Sequence, residues 1–222
     1  MSAESGIPTF RDAMTGLWSR FDPAQLASEE GFRADPAHVW DWYAERREGV
    51  RAAQPNAGHL ALGAFARRRP GVLTLVSQNV DDLHQRAGNT DTIRLHGDIQ
   101  RDQWLERCAR VPVCDTLDAQ PGRPPRCGHC GNLVRPGVVW FGEPLDLDTL
   151  ERATDAAGAA DVLLVVGTSA VVYPVAALPE MARQRGVRVV EINIDDTPLT
   201  PHVDAQLRGP AASILPELER QV

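Results

Sequence analysis

Asp161-Val162-Leu163-Leu164-Val165-Val166-Gly167-Thr168-Ser169 is the stretch that decides the fold: an apolar run of strand length that empties into a glycine and two small hydroxylated residues. A short apolar run without alternation fits a strand covered on both faces, as in a parallel sheet flanked by helices. The layout recurs twice. Residues 72–77 follow the turn pair Pro70-Gly71 and deliver Gln78-Asn79-Val80-Asp81-Asp82, and residues 187–192 deliver Asn193-Ile194-Asp195. With helical stretches such as 174–185 between them, the three runs predict a Rossmann-like α/β parallel sheet. In such sheets a ligand lies along the carboxyl edge of the strands, where these polar residues fall.

Outward from that sheet, Asp35-Pro36 reads as a helix cap followed by proline at the first helical position, and Val39, Trp40, Tyr43 and Val50 continue at mostly helical spacings. A second helix is predicted from Asn56 through Leu60, Ala64 and Phe65 to Arg67-Arg68-Arg69, whose charges suit a helix C-terminus. Residues 1–34, with Gly6-Ile7-Pro8 and Phe21-Asp22-Pro23, read as loop and short helix. Between Trp104 and Asn132 the pattern breaks into cysteine, proline and glycine with no core periodicity. The expected organisation is a Rossmann-like domain over residues 1–15, 60–103 and 133–222, a helical segment over 16–59, and a small inserted zinc-binding module over 104–132.

The 222 residues, 43% hydrophobic and 24% charged, suit one compact unit with a small insert. A formal charge of −7 argues against nucleic acid or an anionic membrane as the main partner. All 23 basic residues are arginine, so any lysine-directed activity must act on another molecule. No run approaches the roughly 20 apolar residues of a membrane span, and Met1-Ser2-Ala3-Glu4-Ser5 lacks a signal-peptide pattern. A cytoplasmic home is the expectation, and in a reducing compartment the four cysteines point to metal instead of disulfides.

Cys127-Gly128-His129-Cys130 is a CxxC knuckle, with Cys108 and Cys114 placed as the other half of a four-cysteine site. Four thiolates close the coordination sphere, so the reading is one structural Zn²⁺, with His129 a bystander or a substitute ligand. Free clustered thiols are the plainer alternative. Tyr43 and Arg46 stand three apart on the predicted helix and share a face, where a phenol and a guanidinium can hold a carboxylate. The alternative is that Tyr43 packs in the core and Arg46 lies on a solvated face. His96, between Leu95 and Gly97, read alone is a structural hydrogen-bonder.

Ser5-Gly6-Ile7-Pro8-Thr9-Phe10-Arg11, Gln78-Asn79-Val80-Asp81, Leu95-His96-Gly97 and Gly167-Thr168-Ser169, with the CxxC in its place, together resemble the sirtuin family over nearly the whole chain, to Gly209-Pro210-Ala211. Trp42-Tyr43-Ala44-Glu45-Arg46 resembles the Tyr-x-x-Arg signature of the class that includes bacterial sirtuins and the mitochondrial desuccinylase. The resemblance implies a monomeric NAD-dependent protein-lysine deacylase that removes succinyl, malonyl or acetyl groups from other proteins and yields lysine, nicotinamide and O-acyl-ADP-ribose. His96 would be the general base, acting on the NAD ribose after nicotinamide leaves. Gln78, Asn79, Val80 and Asp81 would shape the nicotinamide and ribose pocket, and Arg11 would belong to a mobile loop over the cofactor. Gly167, Thr168 and Ser169 would approach the rest of the dinucleotide, and Asn193, Ile194, Asp195 and Ala211 its adenosine end. Val138-Val139-Trp140-Phe141-Gly142-Glu143 resembles the edge that receives substrate peptide by β-addition, through Val139, Trp140, Phe141 and Gly142.

Two departures from that family stand out. Relatives carry a strand and a Gly-Ala-Gly turn immediately before the residues matching Ser2-Ala3-Glu4-Ser5, which predicts that Met1 is an internal methionine and that the sequence begins too late. Cys108 and Cys114 have five residues between them where relatives commonly have two. The competing readings are an inactive fragment or acyl-peptide-binding module, and a mono-ADP-ribosyltransferase, which has no use for a carboxylate clamp at Tyr43 and Arg46. A zinc-ribbon nucleic-acid binder is disfavoured by the acidic charge.

Overall fold

The computed structural model describes residues 1–8, 26–106, 114–115 and 119–222; Arg11 and Cys108 lie outside them. Three small sheets are present among the described residues. Strand β1 (Val76–Ser77) pairs in parallel with β2 (Ile93–Arg94), and β3 (Gly97–Trp104) pairs antiparallel with β4 (Val134–Val138). Strands β5 (Val162–Val166), β6 (Arg188–Asn193) and β7 (Ala205–Arg208) form a parallel sheet in that order, with Val162 opposite Arg188 and Val190 opposite Ala205.

The predicted parallel strands are therefore present, but they do not join into one sheet, and the first run is regular over two residues only. The segment of β1 and the whole of β5 line a common cavity of about 2190 Å³. No described strand pairs the flank of β5 that faces it. Val162 and Leu164 are consequently 49% and 39% exposed, although an all-apolar strand ordinarily signals burial on both faces.

Helix α1 (Glu29–Ala34) begins where the Ser28 hydroxyl accepts from the Gly31 N–H, and α2 (Pro36–Ala52) begins as predicted, with the Asp35 carboxylate accepting from the His38 N–H. The buried face of α2 is Val39, Trp42, Tyr43, Arg47 and Val50. Trp40 is rotated off that stripe, and the Arg47 guanidinium lies 5.2 Å from its ring centroid. Arg47 is buried but paired: Nε donates to the Ile99 carbonyl at 2.6 Å, and Nη2 donates to the Arg101 carbonyl at 3.0 Å and to Asp102 at 2.5 Å. These bonds lash α2 to β3 around the core of Phe32, Val39, Trp42, Tyr43, Ile99 and Trp140.

Helix α3 (Ala57–Arg68) starts at Asn56, whose side chain accepts from Gly58 and His59 while His59 Nδ1 accepts from the Asn56 N–H. Its buried face is Gly58, His59, Ala61 and Gly63, and the expected anchor Leu60 is 52% exposed. Close backbone approach explains the small residues: a Cβ on Gly63 would lie 2.1 Å from the Ala87 carbonyl oxygen. The remaining helices are α4 (Leu83–Arg86), α5 (Leu147–Ala159), α6 (Leu178–Gln184) and α7 (Ala211–Gln221). No helix among the described residues is long and apolar enough to cross a membrane.

The rings of His59 and the α4 residue His84 lie 4.7 Å apart between centroids, tilted by 57° to each other. His59 Nε2 and His84 Nδ1 have no hydrogen-bond partner among the described residues. Burial pushes His59 down to about 3, helped by His84 and the Met1 amino group, and pushes His84 down against the opposing pull of Asp81. Both rings are thus neutral in the fold, while the unfolded chain protonates them below about pH 6.5. Above that pH there is no protonation penalty; as pH falls from 6.5 towards 3, the neutral His59 lowers stability by up to about 1.4 kcal/mol per pH unit, and His84 acts in the same direction. Urea unfolding between pH 6.5 and 5 is expected to show a shallower decline in His59→Leu than in the parent, and equal slopes would contradict this assignment.

Candidate active site

The site grows from the ends of the parallel strands. After β1 the chain turns through residues 78–82 into α4, with the Ser77 hydroxyl accepting from the Asn79 N–H at 3.1 Å and the Asp81 carboxylate accepting from the Leu83 N–H at 3.0 Å. Arg94, on the adjacent β2, donates through Nη2 to the carbonyls of Val80 and Asp81, both at 2.9 Å, while Nη1 pairs with Asp98 at 2.6 Å. This clamp fixes the loop. The Gln78 amide then donates to the Thr168 hydroxyl at 3.3 Å, and the Asn79 amide donates to the Ser2 hydroxyl at 2.8 Å. Asn193, at the end of β6, donates to the Thr168 carbonyl at 2.8 Å. The loops after β1, β5 and β6 are thereby joined along the carboxyl edge, as the sequence pattern predicts.

His96 lies between β2 and β3. Its Nδ1 is 2.9 Å from the Gln78 carbonyl oxygen, an acceptor only, so Nδ1 carries the proton and Nε2 keeps its lone pair. Burial lowers the pKa of His96 below the ordinary 6.5, outweighing the opposite effect of the Gln78 bond. A neutral imidazole with a free Nε2 is the form a general base requires. The neighbouring Gly97, at φ +83, holds the turn into β3, and the Val139 N–H donates to the His96 carbonyl at 3.0 Å.

The α2 residues Tyr43 and Arg46 line the same cavity as His96, Gln78, Asn79 and Asp81. Tyr43 is also a core residue, 4% exposed, and its phenol is pushed up to about 12, chiefly by burial. Its oxygen accepts from Trp140 Nε1 at 3.0 Å. The Arg46 guanidinium carbon lies 4.8 Å from the Trp42 ring centroid, on the same wall. Tyr43 is therefore both a core residue and part of the cavity wall.

Val139, Trp140, Phe141 and Gly142 also line the cavity, and so do Val80, Gly167, Thr168 and Ser169. The N–H groups of Val139 and Phe141 are already used, by the carbonyls of His96 and Ala27. Asn193, Ile194, Asp195 and Ala211 do not line the cavity: Ile194 is 59% exposed, Asp195 faces Arg208 at 4.0 Å, and Ala211 is buried against Gly58 of α3. The sequence reading missed the Arg94 clamp, the Ser2 contact and the Arg135–Glu143 ion pair beside Trp140. An arginine inside a short apolar strand, as in Ile93-Arg94-Leu95, was the available signal for the first.

Cys114, Cys127 and Cys130 bring their sulfurs within 4.8 Å of one another. The N–H groups of Cys130 and His129 point at the Cys127 sulfur and lower its pKa to about 7, with further help from the other two thiols. Soft, readily ionised thiolates in this number suit zinc, and Cys108 would supply the fourth sulfur of a closed shell. Short bridges between Gln120 and Arg126 and between Arg126 and Leu133 hold the knuckle, which has little apolar core of its own. Elemental analysis is expected to find about one zinc per chain, and its chelation to remove amide protection from residues 119–133; less than about half an equivalent would count against the site.

A parallel-stranded α/β domain whose carboxyl-edge loops carry amides, hydroxyls and one neutral imidazole, beside a thiol knuckle, defines a Rossmann-like protein with an imidazole in its cleft. The sequence pattern of the Sir2 family matches residues 1–174, and the chain belongs to that family. It is 51% identical over 218 residues to an NAD-dependent protein deacylase of Ralstonia nicotianae, covering 98% of this chain and 87% of that protein. The crystal structure of a Sir2 homologue–NAD complex superposes with a TM-score of 0.86 at 48% identity, covering 99% of this chain and 84% of the other. A Sir2 protein bound to an acetylated peptide superposes with a TM-score of 0.82 at 26% identity, covering 99% and 88%.

Proposed function

We propose that this chain is an NAD-dependent protein-lysine deacylase that favours acyl groups ending in a carboxylate, succinyl and malonyl, and also accepts acetyl. The observation that carries the acyl preference is the placement of the Tyr43 phenol and the Arg46 guanidinium on the wall of the cavity that holds His96. The cofactor reading is supported by the carboxyl-edge position of the cavity, where Gln78, Asn79, Thr168 and Ser169 offer neutral polar groups to a dinucleotide. It is supported too by the relatives, one named a deacylase and one solved with NAD. NAD, when bound, supplies the ADP-ribose that takes the acyl group as nicotinamide leaves.

The chain's own groups divide the work. His96 Nε2 takes a proton from a ribose hydroxyl, with Nδ1 anchored on Gln78 so that the ring cannot turn away. The Arg94 clamp keeps Val80 and Asp81 in place. Arg46 meets the distal carboxylate, and Phe141, 55% exposed, offers an apolar surface at the cavity mouth. Because the chain has no lysine, the substrate is acyl-lysine of another protein.

Arg46→Met tests the reading. With saturating NAD, the ratio of kcat/KM for succinyl-lysine to that for acetyl-lysine peptide is expected to fall about ten- to hundredfold, the worth of a charge-assisted hydrogen bond. A ratio that stays put would remove the basis for the acidic-acyl preference.

A further inference from the structure

We propose that Trp140 is a positioning residue for acyl selectivity, acting through its indole N–H to aim the Tyr43 hydroxyl proton into the cavity. The inference rests on the acidic-acyl reading above and adds a residue to it. Indole Nε1–H is a donor and never an acceptor, so in the 3.0 Å contact the Tyr43 oxygen must accept. The phenol's single proton is then turned away from Trp140, and among the described residues none accepts it. A carboxylate accepts only, and it is the complement of a hydroxyl held in that sense. Had Tyr43 donated to a core acceptor instead, its proton would be spent within the fold.

Trp140 is itself immobilised. The Arg135 guanidinium carbon stands 3.6 Å from its ring centroid, and Phe32 packs on it at 5.2 Å. Its backbone N–H donates to Glu143 Oε2 at 2.8 Å, and Glu143 is in turn ion-paired with Arg135. Arg135 Nη2 also donates to the Val138 carbonyl at 2.6 Å, which ties the assembly to the end of β4. Burial pushes the Tyr43 phenol up to about 12, so it keeps its proton at neutral pH.

The test replaces Trp140 with 3-benzothienylalanine, which keeps the bicyclic shape and deletes the N–H, alongside Trp140→Phe. The succinyl-to-acetyl ratio of kcat/KM is expected to drop about five- to tenfold through KM for the succinyl peptide, and to drop no further when the replacement is made in Tyr43→Phe. A purely structural role would lower both substrates together and leave the ratio alone. A ratio within about twofold of the parent, or an equal drop in the Tyr43→Phe background, would overturn the proposal. If Arg46→Met abolishes succinyl preference while the Trp140 replacements are silent, only the Trp140 role fails; if the parent has no such preference, the acidic-acyl reading fails and takes this proposal with it.

Discussion

His96→Ala is expected to reduce deacylation by about 10²–10⁴ while zinc content and unfolding midpoint stay close to the parent values. The substitution deletes the only imidazole that pairs a fixed Nδ1 with a cavity-facing Nε2 among the described residues. It leaves the Gln78 carbonyl without one partner at a half-buried position, where water can replace the bond. The pH dependence carries a second check. The base works only when neutral, so kcat/KM rises with pH through the free-enzyme pKa of His96. Burial lowers that pKa, so the acid limb is expected to have its midpoint below 6.5 and to vanish in the variant. An acid limb centred above 6.5, or a loss smaller than about tenfold, would remove His96 from the role.

Gly97→Ala is expected to be the most damaging single methyl group near the site. Its φ of +83 disfavours any L side chain, which costs about 1–3 kcal/mol. A Cβ there would also lie 2.2 Å from the Gly137 carbonyl oxygen and 3.0 Å from Val138 Cα, both backbone atoms of the paired strand β4. Relieving that overlap adds about 1–3 kcal/mol, so the total is about 2–6 kcal/mol, a large part of a domain's stability. Because β3 and β4 meet at Gly97 and Val138, and His96 and Val139 share a backbone bond, the strain reaches the imidazole directly. Urea unfolding and activity should both fall. Gly49→Ala is the control: it sits in α2 with nothing within 4 Å of the new Cβ and is expected to be neutral or slightly stabilising. Equal stability of the two variants would refute the steric account.

What could be read beforehand was local. Asp35-Pro36 and Asn56 start helices because caps act within three residues, and both starts lie where the sequence placed them. The polar residues after the apolar runs sit at strand ends for the same reason, and the three described cysteines of the knuckle gather as their spacing predicts. Helices α5 and α7 were legible but passed over: Asp146 caps the first, which carries Leu150, Ala153 and Ala157, and Ile214, Leu215 and Leu218 stripe the second. Other features depend on residues far apart in the chain. The burial of Trp42 over Trp40, the exposure of Leu60, and the partners of Arg94 and Arg135 follow from packing between elements. Nothing in the apolar run of residues 72–77 shows that it stands apart from β5 across a cavity.

That open flank has a consequence for the backbone protons of β5. The Gly167 N–H points towards β6, where it donates to the Ile192 carbonyl at 2.9 Å. Successive amides along a strand alternate in direction, so those of Leu163 and Val165 share the β6 side, and those of Leu164 and Val166 face the cavity. In deuterated water one strand should therefore show two populations interleaved residue by residue, protected amides at the odd positions and rapidly exchanging ones at the even.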